Sequence, residues 1–258
     1  MREVSAELGR ARDAIGQWFT ELFADLSRMS SESQREIRGA LGTRTDLTEK
    51  HLRAIQPAAT AFLDRHPVPL AAGLVLGPGI IDDTTGAIEW WRRGPRGGTQ
   101  RIVFTLNPDA AGFYDYLTYD WFTEVINTGA PAIQGPYLDY AGLDQYILTS
   151  MVPFYLDGAL VGTAGCDTEV RALEPVVMPH LRQIPMDVAL VSKFDRIVVG
   201  NSGRFLVGNR VGDLPRDALR VPLTGVDLGL QLVARPHLRS KAPYSDAIEV
   251  ANKMRASK

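Results

Sequence analysis

The run YILTSMVPFYLDGALVGTAGCD, residues 146–167, decides the fold. Its two halves, Tyr146–Tyr155 and Ala159–Asp167, are rich in the β-branched and aromatic side chains that suit a pleated surface. Asp157-Gly158 between them is a favoured dipeptide for a two-residue hairpin turn, in which both positions take positive φ. An antiparallel hairpin is predicted. Beyond it, Val170–Leu181 reads as a helix, with Pro179 and Pro185 marking its end. Upstream, Leu70–Ile81, Ala87–Arg92 and Arg101–Leu106 read as strands, separated by turns over 82–86 and 94–98. Residues 107–145 are aromatic and show little periodicity. Downstream, Val188–Ser192, Arg196–Gly200, Arg204–Gly208 and Leu230–Ala234 are predicted as short strands. The tail from Pro236 is polar and basic, with a helical stretch over Ser245–Met254.

The N-terminal third has a different period. Val4, Leu8, Ala11, Ile15, Trp18, Leu22, Leu26 and Met29 follow one another at steps of three or four, which is one apolar helical stripe. Ser30-Ser31 is expected to break it, and Ser33 with Glu36 resembles a capping box for a second helix to about Leu41. Asp46 with Glu49 opens a third helical stretch through Leu63, kinked at Pro57 and closed by His66-Pro67. The stripe has two candidate covers: the chain's own sheet, or a second copy in a homodimer.

Composition narrows the class. The chain has 258 residues, 45% hydrophobic and 22% charged, with a net charge of −2. This is a globular balance, and it supplies no general field for nucleic acid or an anionic membrane. No stretch is long and apolar enough to span a bilayer, and the charged N-terminus lacks a signal-peptide core, so a cytoplasmic protein is expected. A single cysteine, Cys166, allows no intrachain disulfide, and its place in a strand reads as a small buried hydrophobe. Charge is nonetheless segregated. Residues 101–170 hold one basic and nine acidic side chains, net −8, whereas 171–258 are net +6. The acidic block is either a solvated surface or a pocket built for a cation.

Catalytic signatures are missing. No G-x-S-x-G elbow, H-E-x-x-H pair or phosphate-binding G-x-x-x-x-G-K-[ST] loop occurs, and the four histidines stand far apart. No metal, cofactor or enzymatic activity is expected. The alternatives are a small hydrolase or isomerase using Asp167 or Asp139, and a structural dimerisation protein. The aromatic stretch points elsewhere. Phe113-Tyr114-Asp115-Tyr116, Tyr119-Asp120-Trp121-Phe122 and Pro136-Tyr137-Leu138-Asp139-Tyr140 bring rings and carboxylates together. Ring faces attract cations, and carboxylates add charge-assisted hydrogen bonds to an ammonium group.

In order and spacing, Tyr114…Trp121-Phe122…Pro136-Tyr137-Leu138-Asp139…Leu148-Thr149…Pro153…Asp157-Gly158…Gly162-Thr163-Ala164-Gly165-Cys166-Asp167 resembles the sensing core of Cache (PDC-like) ligand-binding domains. The resemblance is close over 113–168. It implies an α+β fold: an N-terminal helical stalk (1–66), a PAS-like antiparallel sheet module of five or six strands (67–172), and a smaller second β unit with the basic tail (173–258). It also implies a small molecule held between sheet and aromatic loops. Amino-acid-binding members use an aromatic, an arginine, a Trp-Tyr pair, a later tyrosine and a final aspartate. Tyr114, Trp121 with Phe122, Tyr137 and Asp167 match these by position, and Asp167 would take the ligand amine. Tyr119 stands where the arginine would be. With no lysine or arginine over 102–170, the expected ligand is an amine or other cation, held by Asp167, Asp139 and the rings of Tyr114, Tyr119, Trp121, Phe122 and Tyr137. Arg92 or Arg93, from outside that segment, could supply a positive charge. Output would pass to a partner such as a transcription regulator.

Overall fold

A computed structural model describes residues 2–44, 46–81, 85–95, 97–138, 145–212, 214 and 218–235. The turn expected over 82–86 falls partly, and the helical stretch expected over 245–254 wholly, outside the described residues. Helix α1 (Arg2–Leu41) is a single element, about 60 Å long at 1.5 Å per residue. The break expected at Ser30-Ser31 does not occur. Ser31 donates to the carbonyl of Ser27 one turn back, and Ser30 donates to Pro153 O at 3.1 Å on the neighbouring sheet. With their hydroxyls satisfied, these serines have no need of a non-helical backbone. Ser33, expected as a cap, is buried mid-helix.

Next come α2 (Glu49–Leu52) and, after one 3-10 turn, α3 (Gln56–Arg65). Thr48, not Asp46, begins α2, its backbone N–H and hydroxyl meeting His51 Nδ1 at 3.1 and 3.0 Å. Pro57 sits in the first turn of α3, where its missing N–H costs nothing. Six strands build the first sheet: β1 (Ala71–Leu76), β2 (Ala87–Arg93), β3 (Thr99–Ile102), β4 (Ala132–Leu138), β5 (Tyr146–Leu156) and β6 (Ala159–Glu169). Their order is β3-β2-β1-β6-β5-β4, every pair antiparallel. The hairpin at its heart is the predicted one, with Asp157 at φ 53 and Gly158 at φ 80. Between β3 and β4 lie a loop and α4 (Asp120–Thr128).

Helix α5 (Val170–Leu181) leads to a second sheet of β7 (Asp187–Val191), β8 (Ile197–Gly200), β9 (Leu219–Pro222) and β10 (Gln231–Arg235), ordered β8-β7-β10-β9 and again antiparallel. Arg204–Gly208 is not a strand. Its Phe205 instead fills a small core against Val191 and Val233. The α+β class, the long N-terminal helix, the six-stranded sheet and the smaller second sheet are as the sequence implied.

Alternation along each strand separates the two faces of the first sheet. Ala72, Leu74, Leu76, Leu148, Val152 and Cys166 join the main core beneath the helices. Ala71, Val75, Trp90 and Met151 face α4 and the aromatic loop. The α1 stripe from Leu8 to Met29 is buried in that main core. The chain's own strands cover it, so it is not left over as a seam for a second copy. A polar knot also fastens α1 to α3. Buried Asp25 accepts from Arg65 Nε at 2.7 Å and His66 Nε2 at 2.8 Å, and pairs with Arg28 at 2.6 Å. Among the described residues no helix is long and apolar enough to cross a membrane.

Candidate ligand-binding site

Register builds the site. Across three neighbouring strands, Arg92 of β2 lies opposite Ala71 of β1, and Ala71 lies opposite Asp167 of β6. Asp167 in turn lies opposite Thr149 of β5. Residues directly opposite in a ladder share a face, so one row presents a cation, a small floor residue, a carboxylate and a hydroxyl. Two strand spacings put the Cα atoms of Arg92 and Asp167 roughly 10 Å apart. In the adjoining row Gly73 lies opposite Trp90. A Cβ there would collide with the Trp90 ring and backbone, so glycine lets the indole lie flat across the sheet.

The cavity above this floor has a volume of about 280 Å³. Asp167 is fixed at its base. Oδ2 accepts the indole N–H of Trp90 at 3.0 Å, and Oδ1 accepts the Thr149 hydroxyl at 2.7 Å. Since Thr149 gives its proton to Asp167, the Tyr137 hydroxyl 2.6 Å away donates to Thr149. This chain orients the carboxylate with neutral donors. Tyr114, Trp121 and Phe104 form the walls. Their rings belong to one ladder: Phe104 stacks on Tyr114 at 5.1 Å, Tyr114 meets Tyr119 at 5.6 Å, and Tyr119 stacks on Trp121 at 6.0 Å. Trp121 is buried, and its indole N–H has no partner among the described residues. Behind the wall, Tyr116 donates to Leu76 O, and burial pushes its pKa up to about 12.

Four of the expected residues meet at this cavity: Tyr114, Trp121, Tyr137 and Asp167. Tyr119 lies further out, 38% exposed, in an adjoining groove. Phe122 is buried against Tyr116 and Trp121, away from the cavity lining. The physical reason is α4: consecutive helical residues point about 100° apart, so Trp121 and Phe122 cannot face the same way. Asp139 is outside the described residues. Three members of the acidic block are spent elsewhere, with Asp157 paired to Arg38, Glu124 to Lys193 and Glu169 to Arg171. Of its described members only Asp167 lines the cavity.

The positive side resolves into one residue. Arg93 turns away, donating to the carbonyls of Leu63, His66 and Pro69 at the end of α3. Arg101 grips buried Glu89 through Nε, at 3.0 and 2.9 Å. Burial raises the Glu89 pKa, against the opposing pull of Arg101. Arg92 borders the cavity, and its side chain has no ion pair or hydrogen bond among the described residues. Trp90 and Thr149 were not read from the sequence as site residues, and Arg92 was raised only as an alternative to Arg93. The alternation of Ile88, Trp90 and Arg92 against Glu89 and Trp91 was the available signal. Cys166 faces the opposite side of the sheet, and burial raises its thiol pKa.

A carboxylate and an aromatic enclosure on an antiparallel sheet, beside a long N-terminal helix, form the kind of pocket expected of a Cache-type module. Residues 81–175, which hold most of the cavity, match the family described as methyl-accepting chemotaxis protein-like, first PDC sensor domain, so this segment is similar to a Cache (PDC) sensor domain. Its fold is similar to that of the sensory domain of the Campylobacter jejuni chemoreceptor Tlp3 (TM-score 0.63, 13% identity, 90% of this chain and 91% of that one). The Tlp3 ligand-binding domain in complex with L-valine gives a TM-score of 0.62 at 14% identity, covering 90% of each chain. The ligand-binding domain of the Pseudomonas aeruginosa PAO1 amino acid chemoreceptor PctC in complex with GABA gives 0.53 at 16% identity, covering 88% of this chain and 95% of that one. At these identities the likeness is one of fold. No curated protein matches the chain.

Proposed function

We propose that this protein is a non-enzymatic sensor whose cavity recognises a small zwitterion, an ammonium group at Asp167 and a carboxylate at Arg92. The observation that carries the reading is the row Arg92, Ala71, Asp167 on one sheet face beneath an aromatic enclosure. The cation expected from the lysine- and arginine-free segment 102–170 thereby becomes an amine that also carries an acid, because β2 contributes Arg92 from outside that segment. Tlp3 with L-valine and PctC with GABA are solved complexes of this fold with ligands of that class. Two further features support recognition without catalysis. The Asp167 oxygens meet Trp90 and Thr149, neither of which exchanges protons near neutral pH. The cavity is also open space, which a purely structural dimerisation unit would fill. The bound state passes to a signalling partner, as the chemotaxis-type family suggests.

Calorimetry with matched pairs, each amino acid beside its decarboxylated amine, tests the reading. Amino acids should bind more tightly than their amines, and Arg92→Gln should abolish that preference. Asp167→Asn keeps the shape but removes the charge, which should cost about 2 kcal/mol, or thirtyfold in affinity. Asp167→Asn binding as tightly as the parent protein would sink the assignment.

A further inference from the structure

The cavity does not end at its aromatic wall. Beyond it lies a second groove of about 570 Å³, and Val103, Phe104, Tyr114 and Tyr137 line both spaces. Tyr137 borders both, and its hydroxyl belongs to the Asp167 chain. The inner cavity, at about 280 Å³, is at the small end of ligand sites, which run from about 300 to 1,000 Å³. It has room for a charged head group and the first part of a side chain.

The groove carries less charge. Among the described residues its lining includes no lysine or arginine, and Asp115 is its one charged residue. At its rim, three large apolar residues stand in solvent: Val103 at 76% exposure, Tyr119 at 38% and Phe113 at 37%. The stacked rings of Phe104 and Tyr114 lead from the cavity into it. Exposed apolar surface of this kind, continuous with a charged pocket, lowers its free energy when a ring covers it. An anionic extension would meet Asp115 with no counter-charge.

We infer that the groove is the side-chain subsite of the same ligand and selects amino acids with large aromatic side chains. This rests on the zwitterion reading given above. The head group lies between Asp167 and Arg92, and the side chain runs past Phe104 and Tyr137 to stack among the outer rings. An aromatic side chain buries far more apolar surface there than a small one, and the gain adds to an unchanged head-group contribution.

The test is calorimetry of the full chain with L-alanine, L-valine, L-lysine, L-phenylalanine and L-tryptophan. L-Phenylalanine and L-tryptophan should bind at least tenfold more tightly than L-alanine and L-valine. Phe113→Ala, a change at an exposed groove residue away from the head group, should remove most of that advantage and leave L-alanine binding within twofold. Equal affinities across the series, or L-lysine as the tightest ligand, would overturn the aromatic subsite while the zwitterion reading stands. An aromatic advantage that survives intact in Phe113→Ala would also overturn it. Binding by none of the five would overturn both.

Discussion

Asp25 and Asp167 are both carboxylates held by hydrogen bonds, yet their partners give them different work. Asp167 accepts from the neutral donors Trp90 and Thr149 at the floor of the cavity. Asp25 meets Arg65, His66 and Arg28 and is used up in holding α1 to α3. Burial alone would raise the Asp25 pKa, but the hydrogen bonds from Arg65 and His66 and the charges of Arg65 and Arg28 outweigh it and hold the value below 3.8. The sign follows. A carboxylate more acidic in the folded state than in the unfolded chain stabilises above its ordinary pKa, and loses that contribution as pH falls through the depressed value. Asp25→Asn should therefore cost about 2 kcal/mol at pH 7, a moderate figure because the arginine partners reach water. Urea unfolding of the two proteins should show the gap closing in steps below pH 3.8. A gap independent of pH would mean that the amide's shape, not the lost charge, destabilises the variant.

Individual residues were unevenly legible. Trp121 could be found because a tryptophan in an aromatic, carboxylate-rich loop is distinctive by type, and Asp167 because it matches the final aspartate of the resembled sensing core. Arg92 stayed one of two choices beside Arg93, since an arginine near a turn looks like any solvated side chain. Only the register of β2, β1 and β6 sets it beside Asp167.

At the scale of elements, local rules served where one signal dominated. Asp157-Gly158 fixed the hairpin, and Val170, Leu173, Val177 and Leu181 gave α5 its buried face. They failed where two patterns overlapped. Helix α4 hides in an aromatic run, although Trp121 with Val125 and Phe122 with Ile126 are helical neighbours, and Gly129 at φ 64 is a regular helix terminator. Helix α1 was divided at its serines because the sheet that accepts the Ser30 hydroxyl is more than a hundred residues away in sequence. The same helix carries a contact with no sequence signal at all. Gly16 lies against the backbone of Thr224 in the loop between β9 and β10, where an added Cβ would overlap the carbonyl oxygen. Close by, Thr20 Oγ1 accepts the backbone N–H of Val226 at 3.3 Å. Gly16→Val must push the loop away, and overpacking of this kind costs about 1–3 kcal/mol. Thermal unfolding should show the loss, whereas Gly9→Ala, whose Cβ would meet nothing within 4 Å, should be neutral or slightly stabilising through helix propensity.

Across the whole molecule, the segregated charge of the sequence has a structural use. Glu124, on the helix that carries Trp121, pairs with Lys193 in the turn between β7 and β8, so the acidic and basic thirds meet where the two sheets adjoin. Helix α1 spans the same junction, its first half against the loop at 224–226 and its second against β5. One core cluster runs through both sheets, joining Leu148 and Cys166 to Val188, Leu190 and Leu232. A ligand seated on the first sheet should consequently stabilise the second as well. At a concentration of one hundred times Kd, a ligand that binds only the folded state adds about 2.7 kcal/mol. With roughly 2–4 °C per kcal/mol for a chain of this size, the tightest amino acid should raise Tm by about 5–11 °C. Differential scanning calorimetry should record a single transition that moves as a whole. Two transitions, of which only one responded to ligand, would show that the sheets unfold separately and that the shared core does not couple them.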